Sequence, residues 1–131
     1  MSALPNTVLQ SASVLVTGAS GGIGQAIVAA CIERGTTVFA GGRNEEALSA
    51  MQETYGKALR PLVYDVTDEL AVKDTFRQLQ RQVSDGLAPP LFGLVNNAGV
   101  MLESPLSVTS MDKLKQQLNI NFLAPYQHMQ L

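Results

Sequence analysis

Hydrophobic and polar positions follow two patterns that alternate along the chain. Between four short apolar runs, apolar residues recur at the three- and four-residue spacing of helices. This βαβαβαβα order predicts a parallel sheet with helices on both faces, because each parallel crossover needs a connecting segment. The apolar runs, rich in β-branched residues and typical of buried strands, cover residues 13–17, 36–41, 60–64 and 91–95.

Four helices are predicted from the apolar spacing and from their end signals. The first covers residues 22 to about 34 before Gly35, and the second starts at Asn44, a good N-cap residue. The third follows Thr67, Asp68 and Glu69, and the last begins near Ser110. The apolar residues expected to share one face of each helix are Ile23, Ile27, Ala30 and Cys31; Leu48, Met51 and Tyr55; Val72, Phe76, Leu79 and Val83; and Met111, Leu114, Leu118 and Phe122.

Composition and charge limit the possible classes of protein. The 131 residues, 46% hydrophobic and 15% charged, predict one domain or part of one. A net charge of -2 without a basic run gives no indication of a nucleic-acid or anionic-membrane partner. The absence of Lys and Arg from the first 33 residues, and of a long apolar run, predicts a soluble cytoplasmic protein.

The chain has one cysteine and one histidine. Neither residue type can therefore build a zinc site, and no metal site is predicted. We expect Cys31 to pack on its helix and His128 to lie on a partly wet face.

A glycine-rich turn, "VTGASGGIGQA", follows the first predicted strand. Without side chains at Gly18, Gly22 and Gly24, the backbone can approach a pyrophosphate and the helix can pack close to the strand. The phosphate would then lie at the helix N-terminus, where N–H groups and the helix dipole favour an anion. A flexible turn is the alternative interpretation.

Together with three further motifs, this turn resembles the short-chain dehydrogenase/reductase family. The motifs are "TGASGGIG" (17–24), "DVT" (65–67), "NNAG" (96–99) and Asn121 in the following helix. The resemblance covers about Ser13 to Leu131, but only the N-terminal half of the family's pattern. It implies an α/β, Rossmann-like doubly wound parallel sheet with strand order 3-2-1-4. Residues 1–131 would be the NADP-binding N-terminal part of that domain, truncated before its later strands.

The resemblance also implies which residues bind a dinucleotide. Two of the motifs have a structural alternative: Asp65 could be a turn or N-cap residue next to Thr67, and "NNAG" could be a polar turn that closes a strand. The implied residues are Gly18, Ser20, Gly21 and Ile23, with Gly22 in the same turn, at the pyrophosphate; Asp65 and Val66 at the adenine; and Asn96, Ala98 and Gly99 at the adenosine ribose and the route to the nicotinamide.

The end of the second strand, "FAGGRNEEA", predicts which cofactor is bound. Gly42 lies where a carboxylate would hold the ribose 2′-hydroxyl of NAD, and Arg43 can hold the 2′-phosphate of NADP. We therefore predict a preference for NADP(H). Glu45 and Glu46 could instead pair with Arg43 or repel a phosphate, and a solvated arginine is the alternative.

Pro125 interrupts the last predicted helix four residues after Asn121. Because proline has no N–H, it cannot donate to the Asn121 carbonyl, which is expected to remain a free acceptor. The resemblance implies that Asn121 belongs to the active site, where its carbonyl holds a water that supports a catalytic lysine. A simple kink is the alternative, and both can hold.

In the family, the catalytic Ser and the Tyr-x-x-x-Lys motif follow the part of the pattern that this chain matches, and the 131 residues do not contain them. Tyr126 does not begin such a motif, because Gln130 stands four positions later in place of a lysine. Two functions remain. One is an NADP(H)-dependent oxidoreductase that interconverts a carbonyl and an alcohol, of which this chain is the cofactor-binding half and is inactive alone. The other is a non-catalytic nucleotide-binding or oligomerising module. An unpaired edge at residues 91–95, or the helix from Ser110, predicts a homo-oligomer.

Overall fold

The computed structural model describes residues 9–101 and 103–131 and contains a four-stranded parallel sheet. The strands lie in the order β3-β2-β1-β4, which confirms the predicted fold class and strand order. In β1, Val14 pairs with Val38 of β2 on one side and with Gly93 of β4 on the other. The bounds are β1 Ser13–Val16, β2 Thr37–Gly42, β3 Leu59–Val63 and β4 Leu91–Val95.

Three helices begin directly after residues whose side chains cap them, of which the sequence predicted Asn44 as a cap. The side chains of Asn44, Asp68 and Ser110 each accept a hydrogen bond from the backbone N–H three residues later, at 3.0, 3.1 and 3.2 Å. The helices are α1 Gly22–Glu33, α2 Glu45–Tyr55, α3 Glu69–Ser84, α4 Met111–Leu118 and α5 Ala124–Gln130; a π-helical segment, Asn119–Leu123, joins α4 to α5, and 3₁₀ turns cover Gly56–Ala58 and Leu106–Val108.

The core lies on both faces of the sheet, because successive strand residues point to opposite faces. Val14 and Val16 pack in a cluster with α1 and α2, whereas Leu15 packs with residues of α3 such as Val72 and Phe76. This two-sided burial explains why the strand sequences are nearly all apolar.

The predicted apolar face of α1 is partly wrong. The buried residues of this helix are Gly24 and Val28, whereas Ile23 is 72% exposed and Ala30 is also exposed. The helix lies so close to the glycine turn that the residue facing the turn, at position 24, is a glycine. A search for apolar side chains does not find this face, because the residue at the closest approach of α1 to the turn is a glycine.

Strand β4 and the C-terminal helix segments expose apolar side chains. Among the described residues β4 pairs with β1 alone, and Leu91 and Phe92 are exposed, so the burial expected for this strand on both faces is not seen. An apolar groove of about 660 Å³ runs beside β4 between α3 and α5. The side chains of Leu118 and Phe122 are exposed as well. No helix in the described part of the chain has the length and apolar character to cross a membrane.

Candidate functional site

The glycine turn after β1 is tied to the turn after β4. Thr17 Oγ1 accepts hydrogen bonds from the backbone N–H groups of Asn97 and Ala98, both at 3.0 Å. The Asn97 side chain donates to the Gly18 carbonyl, also at 3.0 Å, and Gly18 has a φ of 61°. The turns of "TGASGGIG" and "NNAG" therefore form one surface at the carboxyl end of the sheet. Sequence reasoning missed Thr17, which directly follows β1, and Asn97, which lies two residues after the neighbouring strand β4.

Two glycines of this turn have different surroundings. A Cβ atom at Gly24 would overlap the Gly18 carbonyl oxygen and lie 2.9 Å from the Ala19 Cα, whereas a Cβ at Gly22 would meet nothing within 4 Å. Gly24 thus allows α1 to approach the turn. Gly22 leaves open space at the start of α1, where no side chain caps the helix and an anion is favoured.

A cavity of about 260 Å³ opens at the carboxyl ends of the strands, where open α/β sheets bind ligands. Seven of the predicted residues line it: Gly18, Ser20, Arg43, Asp65, Val66, Ala98 and Gly99. The predicted residues Gly21, Gly22 and Ile23 lie instead at the start of α1, and Asn96 lines a narrow gap beside Thr17.

Asp65 occupies a turn and lines this cavity at the same time. Its Oδ1 accepts from the Thr67 N–H at 2.9 Å and from the Thr67 hydroxyl at 2.7 Å. These bonds, together with the charge of Arg43, lower the pKa of the Asp65 carboxyl, although partial burial opposes the shift. Oδ2 forms no hydrogen bond with the described residues. The turn interpretation of Asp65 and its place in the cavity are therefore compatible.

The guanidinium of Arg43 is exposed and forms no ion pair with the described residues. Glu45 and Glu46, which could have paired with Arg43, thus form no ion pair with it. Gly42, beside Arg43, lines the cavity without offering a carboxylate.

Asn121 connects the helical segment to the loop after β4. Its Oδ1 accepts from the Val100 N–H at 2.8 Å, and its Nδ2 donates to the Val100 carbonyl at 2.7 Å. A Cβ at Gly99 would lie 3.2 Å from this Oδ1, so the small residue leaves room for the contact. Sequence reasoning had pointed to the backbone carbonyl of Asn121 and missed this side-chain clamp.

The helix around Pro125 is interrupted by the π-helical segment Asn119–Leu123, in which the Ala124 N–H reaches the Asn119 carbonyl. Such five-residue spacing often occurs at functional sites. The unpaired Asn121 carbonyl remains a prediction.

His128 is buried, and the expectation of a partly wet position is wrong. Its side chain is 2% exposed because α5 packs it against Tyr64 and Phe76, with ring centroids 5.8 and 5.7 Å away. Nδ1 donates to the Ala124 carbonyl at 2.7 Å, which leaves Nε2 as an acceptor for the Tyr64 hydroxyl at 2.8 Å. Burial lowers the pKa of His128, although its hydrogen bond to the Ala124 carbonyl acts in the opposite direction. Burial also raises the pKa of Tyr64.

This arrangement fits a dinucleotide. The start of α1 offers open space and an uncapped helix N-terminus for a pyrophosphate. The adjoining cavity has a carboxylate oxygen of Asp65 free to accept a hydrogen bond, and the unpaired cation of Arg43 suits a phosphate.

Comparisons with known proteins agree with this geometry. The model of the family described as short chain dehydrogenase matches residues 12–131. The chain is 35% identical over 111 residues to the NADPH-dependent 3-dehydrocapnine reductase of Ornithobacterium rhinotracheale, covering 84% of this chain and 38% of that protein. It is 36% identical over 111 residues to the 3-amino-tetrahydro-pyrrolizinone reductase of Xenorhabdus hominickii, covering 85% and 36%.

Solved structures show the same architecture. The crystal structure of a short-chain dehydrogenase from Streptomyces avermitilis superimposes with a TM-score of 0.84 at 27% identity, covering 92% of this chain and 42% of that one. The chain thus spans less than half the length of each of these three proteins.

Proposed function

The chain belongs to the short-chain dehydrogenase family, and from this premise we propose that it carries the NADP(H)-binding part of an oxidoreductase that interconverts a carbonyl and an alcohol. One observation carries the proposal. The glycine turn, the Asp65 carboxylate and the unpaired Arg43 guanidinium meet at one edge of the sheet, around a single cavity.

Each part of this edge has a distinct task in the proposal. Gly18, Ser20 and the start of α1, including Gly21, Gly22 and Ile23, would hold the pyrophosphate. Asp65 and Val66 would meet the adenine, because a carboxylate can accept from its exocyclic amine. Asn96, Ala98 and Gly99 would border the ribose and the route to the nicotinamide, which supplies the hydride when the cofactor is bound.

The preference for NADP(H) over NAD(H) rests on Arg43. A guanidinium without a carboxylate partner can bind a 2′-phosphate, whereas Gly42 has no side-chain carboxylate to accept from a 2′-hydroxyl. The description of the 3-dehydrocapnine reductase as NADPH-dependent supports the same choice.

We assign Asn121 to the active site and expect its carbonyl to bind a water. The side-chain clamp to Val100 would fix the position of this carbonyl. The 131 residues contain no Tyr-x-x-x-Lys, which would supply the proton donor and lower its pKa. Residues 1–131 alone are therefore proposed to bind cofactor without turnover.

The exposed edge of β4 supports association between copies of the chain. Phe92 and Met129 are 54% and 67% exposed beside the apolar groove. An unpaired strand edge next to apolar surface is a template for another chain, so we propose a homo-oligomer. The same observation favours the second candidate, a non-catalytic nucleotide-binding or oligomerising module.

Titration of the purified chain with NADPH and NADH tests the proposal. We expect tighter binding of NADPH, association by light scattering, and no NADPH oxidation with a panel of carbonyl compounds. Equal affinity for the two cofactors, or none, would overturn the cofactor assignment. Turnover by the verified 131-residue species would overturn the claim that its catalytic residues are missing, and a stable monomer would overturn the homo-oligomer.

A further inference from the structure

A second cavity adjoins the proposed cofactor site. It has a volume of about 270 Å³ and lies between the strand ends and α4. Arg43, Asp65 and Ile120 line both cavities, so the two lie next to each other. The second cavity adds two charged residues of α4, Asp112 and Lys115, which the sequence analysis did not assign to the site.

Helix geometry explains why Lys115 lines this cavity. Asp112, Lys115 and Gln116 are spaced i, i+3 and i+4 and so share one face of α4. Lys113 is rotated by about 200° from Lys115, at about 100° per residue, and is not among the lining residues. The two lysines of α4 therefore lie on different faces of one helix.

The second cavity is lined by charged side chains of both signs. Asp65 and Asp112 bring two carboxylates, and Arg43 and Lys115 bring two cations. Neither cation forms an ion pair with any residue in the part of the chain that the structure describes. Without Lys115, two carboxylates would stand against the single charge of Arg43. An approaching phosphate would then meet net repulsion.

We propose that Lys115 is a specificity-determining residue for a 2′-phosphorylated adenosine ribose. Its ammonium group offsets the carboxylates of Asp65 and Asp112, so that the Arg43 guanidinium remains available to the phosphate. This inference rests on the proposed function, and it assigns to the same site a residue on α4, more than 70 positions after Arg43.

The test measures dissociation constants for NADPH and NADH with the wild-type chain, Lys115→Gln, Lys115→Arg and the matched control Lys113→Gln. Lys115→Gln should weaken NADPH binding by about 3- to 10-fold, between the effect of a screened charge pair and that of a charge-assisted hydrogen bond, with a smaller effect on NADH. Lys115→Arg should retain the NADPH affinity, and Lys113→Gln should leave both affinities unchanged. The difference between Lys115→Gln and wild type should shrink at high salt, because salt screens charges.

The outcomes separate this inference from the proposed function. A wild-type chain that prefers NADPH, combined with equal losses for NADPH and NADH in Lys115→Gln, would overturn the role of Lys115 alone. An equal loss in Lys113→Gln would do the same, because that charge lies on another face. A wild-type chain without any preference for NADPH would overturn both. Since the Lys115 side chain is exposed, Lys115→Gln and Lys115→Arg should leave the hydrophobic core unchanged.

Discussion

The Tyr64 hydroxyl donates a hydrogen bond to Nε2 of His128 across 2.8 Å, and both side chains are buried. Tyr64 directly precedes Asp65 and packs on β2, where a Cβ at Gly41 would lie 3.0 Å from its ring. His128 belongs to α5, which follows the π-helical segment that contains Asn121. This pair therefore fixes α5 against the end of β3, beside the cavity that we propose binds the cofactor.

Replacing Tyr64 with Phe should destabilise the fold by about 1 to 3 kcal/mol, because a buried imidazole nitrogen would lose its donor. Urea unfolding of wild type and variant measures the difference in the free energy of unfolding. Tyr126→Phe is the control, since Tyr126 is 55% exposed and should change stability by less than about 0.5 kcal/mol. Equal effects of the two substitutions would contradict the role of the Tyr64–His128 bond.

Stability should decrease as the pH falls below about 6.5, the ordinary pKa of histidine. Burial lowers the pKa of His128 in the folded state, so the unfolded chain binds a proton first and protonation favours unfolding. The contribution of neutral His128 to the free energy of unfolding is complete above the pKa of histidine in the unfolded chain. It is lost as the pH falls through the lower pKa of the folded state, by at most about 1.4 kcal/mol per pH unit.

Unfolding free energies of wild type and His128→Gln, measured from about pH 5 to 7.5, test this dependence. Because the chain has one histidine, the variant should show a shallower slope in this range. Parallel curves would show that His128 does not titrate as the buried position requires.

Gly24→Ala and Gly22→Ala should separate packing from binding. The methyl group at position 24 would overlap the Gly18 carbonyl oxygen, so Gly24→Ala should lower the free energy of unfolding by about 1 to 3 kcal/mol or more. At position 22 the methyl has open space, and stability should change by less than about 1 kcal/mol.

NADPH titration completes the comparison of the two glycine variants. Gly22→Ala should weaken binding although the protein remains folded, since its methyl would fill the space that we assign to the pyrophosphate. Unchanged NADPH affinity in a folded Gly22→Ala protein would place the pyrophosphate elsewhere.

The fold was predictable because its signals are local. Apolar runs predicted the four strands, and Asn44 predicted the start of α2, where its side chain accepts a hydrogen bond from the Ala47 N–H. The α1 face was partly mispredicted because the residue nearest the turn is Gly24, which hydrophobic spacing does not mark.

The connections of the site were less predictable because they join distant positions. The Asn121–Val100 and Tyr64–His128 contacts span 21 and 64 residues. The spacing of apolar residues within a helix or strand contains no information about contacts between such distant positions. His128 is predicted to be partly wet from its residue type alone, yet the packing of α5 against Tyr64 and Phe76 buries it.

Replacing Arg43 with Ala should weaken NADPH binding by roughly 10- to 150-fold and leave NADH binding nearly unchanged, because a charge-assisted hydrogen bond contributes about 1.5 to 3 kcal/mol. Arg43 forms no ion pair with the described residues, so its removal should not weaken the fold. Calorimetric titration of both cofactors gives the two affinities. Arg81→Ala is a suitable control, since this exposed arginine lies on α3, away from the cavity. Equal losses for NADPH and NADH, or no loss, would remove Arg43 from the phosphate site. A loss confined to NADPH would identify Arg43 as the residue that binds the 2′-phosphate directly.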